Sequence, residues 1–358
     1  MMLPTTYFMA MALTILTMLC WGSWANTMKL APKWRFELYY FDYTFGLIVA
    51  ATIAAFTFGS SDTVVVDAAM PSFTFLDNMS IASKKLMAYA VAGGAVFNLA
   101  NMLLVAAIAV AGLAVAFPIG IGLALIMGVA LNYIIKPAGN PVFLFGGSGL
   151  VLVAIILSAL AHSAHTAFRA KTAQPAAGGV RVAGKAQVKT GTPLKGILLS
   201  LGCGILMGTF YPLVEMSKRG DLGLGPYTAA FMFAIGVLVT TPVYNLFFMN
   251  LPVEGSPVGI GDYFQGSAKE HLLGLLGGII WMAGTVANFA AASAPAKVNV
   301  GPAVSYAIGQ GATLVSAIWG LLVWKEFAGA AGKVRLYLIL MLLFFIAGLS
   351  MVSVAPLM

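Results

Sequence analysis

The residues best suited to chemistry in this chain are polar and aromatic side chains that recur at helical spacing within long apolar segments. Residues three or four apart share one face of a helix, so each series predicts a polar stripe. Ten residues in or beside these stripes are the predicted substrate-binding residues: Trp21, Trp24, Asn26, Asn98, Asn101, Tyr211, Trp281, Asn288, Tyr306 and Gln310. Amide groups and indole rings hydrogen-bond to, and stack on, polar or flat rings. The stripes predict a shared cavity that binds a small solute. Amide bonding between helices is the alternative for each residue taken singly.

Two carboxylates in or beside apolar segments are candidates for carrying a proton. Asp42 lies about one turn into the second segment, and Glu215 lies near the end of the sixth, just before Lys218 and Arg219. Burial favours the neutral form of a carboxyl group, whereas nearby bases favour the ionised form. The sequence therefore favours Asp42 as the proton-coupling residue over Glu215. The alternatives are stabilisation of a helix N-terminus by Asp42 and a salt bridge for Glu215.

Motifs for catalysis or metal binding do not occur in the sequence. His162 and His165 are three residues apart, but no carboxylate or cysteine accompanies them, and His271 is predicted to be isolated at the start of a segment. No nucleophile stands at motif spacing from a base. The sequence predicts that the protein is not an enzyme, binds no metal and needs no cofactor, with a proton or sodium as the coupling ion.

Composition dictates the surroundings of these side chains. Of the 358 residues, 61% are hydrophobic and only 8% are charged. A soluble protein carries roughly a quarter of its residues as charged side chains. Soluble enzymes and nucleic-acid-binding proteins are therefore excluded, and the partners expected are the lipid bilayer and a small-molecule substrate.

The apolar segments number ten, and each is long enough to cross a bilayer as a helix of about 20 residues. A shift of 184 residues aligns several unusual positions without gaps, and it places Pro226 opposite Asp42. The matches are Tyr43-Thr44 with Tyr227-Thr228, Lys85 with Lys269, Gly93-Gly94 with Gly277-Gly278, and Pro118 with Pro302. The prediction is an all-α integral membrane protein with ten transmembrane helices in two inverted five-helix repeats, 1–165 and 195–358, since an odd number of spans reverses the second half.

The joining segment, 166–194, is a basic linker without acids. Gly179, Gly184 and Lys185 have the spacing of a phosphate-binding loop, but Ala186 stands where that loop needs Ser or Thr, so nucleotide binding is not expected. Thirteen basic residues lie on the linker's side of the membrane and six on the other. Because basic residues are enriched on the cytoplasmic side, the linker is predicted to be cytoplasmic and both termini outside.

A set of motifs is distributed over the chain: Trp21 to Thr27, Asp42-Tyr43-Thr44, Gly93-Gly94, Asn98, Asn132-Tyr133, Gln310, Val315-Ser316, Trp319-Gly320 and Glu326. Together these motifs resemble the drug/metabolite transporter superfamily, in particular its glucose/ribose-porter and ureide-permease branch. The resemblance spans about residues 10 to 350 and implies ten helices in two inverted halves around a central cavity. It also implies proton- or sodium-coupled movement of a small polar solute. The short, acid-free linker favours a multi-pass protein of the bacterial plasma membrane.

The function predicted from these observations is secondary active transport by alternating access. The favoured form is proton-coupled import of a neutral polar solute such as a sugar, a ureide or a nucleobase. The alternative is export of amino acids or drug-like metabolites, although a cationic drug would call for more buried acids than the segments contain. The sequence leaves open the choice between sugar and ureide, between proton and sodium, and between monomer and homodimer.

Overall fold

The computed structural model describes residues 1–61, 74–111, 113–172, 193–252, 256–330 and 332–358. In these ranges the chain is helical and contains no strand. Nine helices of the described chain are long and apolar enough to cross a membrane, and a further apolar segment, Ile119–Ile135, is shorter. The predicted all-helical membrane architecture is therefore confirmed, while the count of ten spans stays a prediction. Most of the linker, including its phosphate-loop-like spacing, lies outside the described residues.

The helices are numbered in chain order. They are α1 (Tyr7–Ser23), α2 (Asn26–Lys29), α3 (Phe36–Phe56), α4 (Phe75–Ile81), α5 (Lys84–Ala111), α6 (Leu113–Ile135), α7 (Pro141–Thr172), α8 (Pro193–Ser217), α9 (Pro226–Asn250), α10 (Ile260–Tyr263), α11 (Ala268–Ala292), α12 (Pro302–Gln310), α13 (Ala312–Ile318) and α14 (Lys333–Val354). A π-helical turn, Trp319–Val323, continues α13.

Local sequence explains where several helices begin. Ser267 caps α11 by accepting a hydrogen bond from the Glu270 backbone N–H, and the Glu270 carboxylate bonds back to the Ser267 backbone. This reciprocal arrangement satisfies two N–H groups that a helix start leaves unpaired. Pro302 is the first residue of α12, where a missing N–H costs nothing. Its predicted counterpart, Pro118, lies inside α6 rather than at its start.

The two halves do not align at one constant offset. α5 and α11 begin at Lys84 and Ala268, which matches the offset of 184 residues. α3 and α9 begin at Phe36 and Pro226, an offset of 190. The gap-free alignment is therefore wrong for this pair of helices, because the connections that follow them differ in length. Asp42 lies well inside α3, whereas Pro226 begins α9.

Helix packing follows a regular scheme. α1 packs on α11, and α8 packs on α5; α3 packs on α11, and α9 packs on α5; α6 packs on α8, and α13 packs on α1. The remaining major contacts join α3 to α9, α6 to α7, α6 to α12, and α7 to α14, and α12 also contacts α14. The counterparts in the two halves are α1 and α8, α3 and α9, α5 and α11, α6 and α12 with α13, and α7 and α14. If each helix is exchanged for its counterpart, the same pairings result.

Glycines set the closest helix crossings. A Cβ atom added to Gly278 of α11 would lie 1.9 Å from the Tyr43 carbonyl oxygen of α3, and one on Gly46 would lie 2.1 Å from the Leu275 carbonyl. The other half has the same arrangement, since a Cβ on Gly94 of α5 would lie 2.0 Å from the Phe233 carbonyl of α9. Such small residues let helix backbones approach closely within a membrane. The close contacts at Gly46 and Gly278 fix which side chains of α3 and α11 meet.

Candidate functional site

The centre of the molecule holds two stacked indole rings from different halves. Trp21 of α1 and Trp281 of α11 lie with ring centroids 5.6 Å apart and planes inclined by 12°. The Trp21 indole N–H donates to the Thr285 hydroxyl at 3.1 Å. Behind Trp281 lie Phe97, at 4.3 Å between centroids, and Phe233, at 5.9 Å. These two phenylalanines were not predicted as site residues because an apolar side chain cannot be distinguished from its neighbours in an apolar segment.

A buried hydrogen-bond network connects α8, α11 and α12 beside the indoles. The Tyr211 hydroxyl donates to Asn288 Oδ1 at 2.5 Å, and Asn288 Nδ2 donates to the Ser305 carbonyl at 3.1 Å. The Tyr306 hydroxyl lies 3.2 Å from the Met207 carbonyl. All of these side chains are buried. The structure therefore brings Tyr211, Asn288 and Tyr306 together and satisfies their polar groups with protein partners.

Gln310 differs from the other predicted amides. It is the last residue of α12, where the helix is interrupted before α13, and its side chain is half-buried. Its amide makes no hydrogen bond to any residue in the described part of the chain. The preceding residue, Gly309, lies against Trp21 and Asn288, since an added Cβ would lie 2.8 Å from the indole and 3.4 Å from Asn288 Nδ2. The Gln310 side chain thus has a donor and an acceptor without a protein partner among the described residues.

Asn98 and Asn101 lie in the contact between α5 and its neighbours. Asn98 Nδ2 is within hydrogen-bond distance of the Thr240 hydroxyl at 2.9 Å, the Thr241 hydroxyl at 3.1 Å and the Val237 carbonyl at 3.2 Å. Asn101 Nδ2 donates to the Tyr40 hydroxyl at 3.2 Å. This geometry is that of interhelical hydrogen bonds in membrane proteins.

Asn26 lies at one end of the bundle, in a group of residues that we call the first end cluster: Asn26, Lys29, Trp324 and Glu326. The Trp324 indole N–H donates to Asn26 Oδ1 at 2.7 Å, and Lys29 forms a salt bridge with Glu326. The cluster ties the end of α1 and α2 to the chain after α13. Trp24 lies closer to the centre, with its ring 5.0 Å from that of Tyr43.

Asp42 is the acceptor of a three-residue cluster near the start of α11. Tyr263 of α10 donates its hydroxyl to Asp42 Oδ1 at 2.6 Å, and His271 Nδ1 lies 2.9 Å and 3.0 Å from the two carboxylate oxygens. The prediction that His271 is isolated is therefore wrong. The first turn of α3 holds Glu37 rather than Asp42, so stabilisation of that helix end does not explain the aspartate. Burial and the bond to Asp42 raise the pKa of the Tyr263 phenol above its usual range.

Glu215 lies at the opposite end of α11, in a group that we call the second end cluster: Ile135, Lys136, Glu215, Lys218, Arg219 and Ser293. Glu215 forms a buried salt bridge with Lys218, whose ammonium also donates to the Ser293 hydroxyl at 3.2 Å. Arg219 donates to the Ile135 carbonyl at 2.6 Å. These residues line a cavity of about 500 Å³. Because α11 rises about 1.5 Å per residue, Glu215 and Asp42 are separated by roughly 30 Å.

No group of three potential metal ligands occurs among the residues that the structure describes. His162 and His165 both pack on Phe327, with ring centroids 4.7 Å and 5.2 Å away. Their environment is an aromatic contact.

The chain is similar to known permeases over nearly its whole length. A family model described as Ureide permease matches residues 39–193. Ureide permease 1 and Ureide permease 2 of Arabidopsis thaliana are 26% and 25% identical to this chain, each over 95% of both proteins. A solved crystal structure with 16% identity has a TM-score of 0.53 over 94% of this chain and 95% of its own, and so shares the fold. The similarity indicates a multi-pass transport protein rather than an enzyme. It confirms the ureide-permease part of the resemblance, while the wider superfamily and the glucose/ribose-porter branch stay predictions.

Proposed function

We propose that this protein is a secondary transporter that imports a small ureide through a membrane by alternating access, driven by protons. The similarity to ureide permeases over 95% of the chain carries this proposal. It favours a ureide over a sugar, and it does not favour the alternative of an exporter of amino acids or drugs. The bacterial plasma membrane, a cytoplasmic linker and external termini belong to the same proposal.

The aromatic centre supports a flat, polar solute. A ureide group is planar and has both N–H donors and a carbonyl acceptor, so it can stack on an indole and bond to an amide. Trp21 and Trp281 supply the faces, and Gln310, which follows Gly309 in α12, has an unbonded amide. A ring held between two faces needs about 3.5 Å on each side. The present 5.6 Å between the indole centroids therefore corresponds to a closed arrangement that must widen by more than 1 Å to admit the solute.

The helix pairing supports two inverted repeats, because it is unchanged when the halves are exchanged. The two end clusters join equivalent elements: the first ties α1 and α2 to the chain after α13, and the second ties α8 to the end of α6. In alternating access around a central site, one such contact opens while the other holds. Ser316, which donates to the Gly22 carbonyl at 2.9 Å, extends the first contact towards the centre.

The surroundings of the two carboxylates support Asp42 as the coupling residue. Glu215 is held in a salt bridge with Lys218, a side chain only 8% exposed. Asp42 instead contacts a histidine and a tyrosine rather than a lysine or an arginine. A coupling group must change its protonation between states, and the Asp42 cluster contains two groups suited to that change.

A ligand screen by thermal unfolding tests the proposed substrate class. Purified protein is heated with allantoin, uracil, xanthine, glucose or rhamnose. A ligand at one hundred times its Kd adds about 2.7 kcal/mol to the stability of the state it binds. We expect stabilisation by allantoin and none by the sugars. Stabilisation by a sugar alone would contradict the proposal.

A further inference from the structure

We propose that Asp42 and His271 form one shared proton-binding site, and that the short helix α10 covers it through Tyr263 and is released when the pair takes up a second proton. The use of this event in transport rests on the proposed proton-coupled function. The protonation and the release are properties of the protein itself.

The contacts around Asp42 define a closed site. The side chain of Asp42 is 7% exposed and that of His271 is 29% exposed. Trp34 stands edge-on to His271, with ring centroids 5.3 Å apart, and Phe41 packs on Tyr263 at 5.6 Å. These rings exclude water from the carboxylate on the side where α10 lies.

The segment that follows α10 continues this cover. A Cβ atom added to Gly266 would lie 2.4 Å from the Trp34 ring and 2.7 Å from His271 Nε2. The backbone therefore passes directly over the histidine, and a side chain at this position would separate the two. Phe264, in contrast, is 77% exposed and contributes no buried anchor. Tyr263 is thus the polar link between α10 and the site.

Most other ionisable groups nearby have their own partners. On α3, Glu37 is paired with Arg35, and the Tyr39 hydroxyl is bonded to Thr27 at 2.7 Å. On α11, the Glu270 carboxylate accepts from Ser267. On α10, Asp262 accepts from the Gly259 N–H. Lys33, which precedes α3, and Lys269 of α11 form no ion pair within the described residues. Among the described residues, His271 is the basic side chain that contacts Asp42.

In the closed site as proposed, Asp42 is ionised, and both Tyr263 O–H and His271 Nδ1–H can donate to its carboxylate oxygens, which lie 2.6–3.0 Å from them. One proton on the histidine gives an ion pair. A second proton neutralises the carboxyl group, and one oxygen becomes a donor that competes with the two existing donors.

The consequence falls on α10. A hydrogen bond to an ionised acceptor is about twice as strong as one between neutral groups. Neutral Asp42 therefore holds Tyr263 less tightly, and α10 loses its polar link to the bundle. Because Trp34 lies in the short loop between α2 and α3, the cover lies at the same end as the first end cluster. Its release exposes the pair to water at that end alone.

Infrared spectroscopy tests the shared proton. Acidifying the purified wild-type protein should produce a buried carboxylic-acid band that is absent in Asp42→Asn. In His271→Gln, the midpoint of this band should move to higher pH by at least one unit, a tenfold change in proton affinity, because the cation that favours ionised Asp42 is gone. A midpoint that His271→Gln leaves in place overturns the shared site.

Hydrogen–deuterium exchange at one fixed pH tests the release. We expect the amides of residues 259–266 to exchange at least tenfold faster in Asp42→Asn, which imitates the neutral acid, and in the milder Tyr263→Phe. The matched control is Asp77→Asn, which alters an exposed carboxylate on α4. Unchanged exchange in Asp42→Asn overturns the release, even if Tyr263→Phe is faster. Neither measurement needs a substrate, so failure to transport ureides would not be confused with failure of this inference.

Discussion

Replacing Asn98 and Gln310 separately with alanine should distinguish a residue that stabilises the fold from one that binds the solute. The Asn98 amide nitrogen has two hydrogens and three acceptors within 3.2 Å, so it makes two good bonds at a time. Interhelical hydrogen bonds in membrane proteins contribute about 0.6 kcal/mol on average and up to about 1.7 kcal/mol. Asn98→Ala should therefore lower the free energy of unfolding by about 1–3 kcal/mol. Thr240 and Thr241 keep bonds within their own helix and are not left unpaired.

Gln310 has no such bond to lose, so Gln310→Ala should change the unfolding free energy by less than about 0.5 kcal/mol. If its amide bonds the solute, binding should weaken by about 1–3 kcal/mol, since a buried partner on the ligand is left unpaired. This loss is a factor of about 5 to 150 in Kd.

The assay is thermal unfolding of each purified variant, with allantoin titrated to give Kd, and exposed Gln265→Ala serves as the matched control. The opposite result would contradict these assignments: Asn98→Ala weakens allantoin binding without loss of stability, while Gln310→Ala binds allantoin as wild type does.

Three further predictions concern coupling, orientation and packing. Asp42→Asn should abolish pH-driven accumulation while exchange of labelled allantoin across the membrane stays within about twofold of wild type, because the neutral side chain no longer cycles; accumulation by this variant would remove Asp42 from the coupling step. A single cysteine at Ser61 should react with an impermeant reagent from outside intact cells and one at Thr190 should not; the reverse pattern would invert the topology. Gly278→Val should destabilise the fold by about 3 kcal/mol or more, because its Cβ overlaps a backbone oxygen of α3. Gly149→Ala, which has open space around it, should unfold as wild type does, and equal stability of the two variants would refute the packing argument.

The helices were predictable because local composition alone identifies a segment that crosses the bilayer. A run without charges and of sufficient length must be helical in a membrane, and the neighbouring chain does not alter that conclusion. The register of the repeat was not predictable in the same way. Tyr43-Thr44 and Tyr227-Thr228 match by chance in a background rich in apolar residues, and the helix starts at Phe36 and Pro226 show the true offset.

The Asp42 cluster was outside the reach of sequence reasoning because its members are far apart in the chain. Helical spacing identifies only neighbours three or four residues away, and Asp42 has none that can bond to it there. His271 reaches Asp42 because Gly46 and Gly278 set how α3 crosses α11. Tyr263 is added by a four-residue helix in a loop, which no periodicity indicates.

The partners of the polar residues in the central stripes were not predictable from the sequence. Whether an amide faces another helix or an open space depends on the helix opposite. Asn98 meets two threonines of α9, whereas Gln310 lies at a helix interruption and meets none. Both residues look alike in the sequence.

Uptake of radiolabelled allantoin into proteoliposomes tests proton-driven ureide transport most directly. The purified full-length protein is reconstituted, and a pH gradient, acidic outside, is imposed. For proton-driven transport, we expect that allantoin accumulates inside above its external concentration and that a protonophore abolishes the accumulation. Folded protein that brings allantoin only to equal concentrations, or moves none, in the presence of the gradient would contradict it.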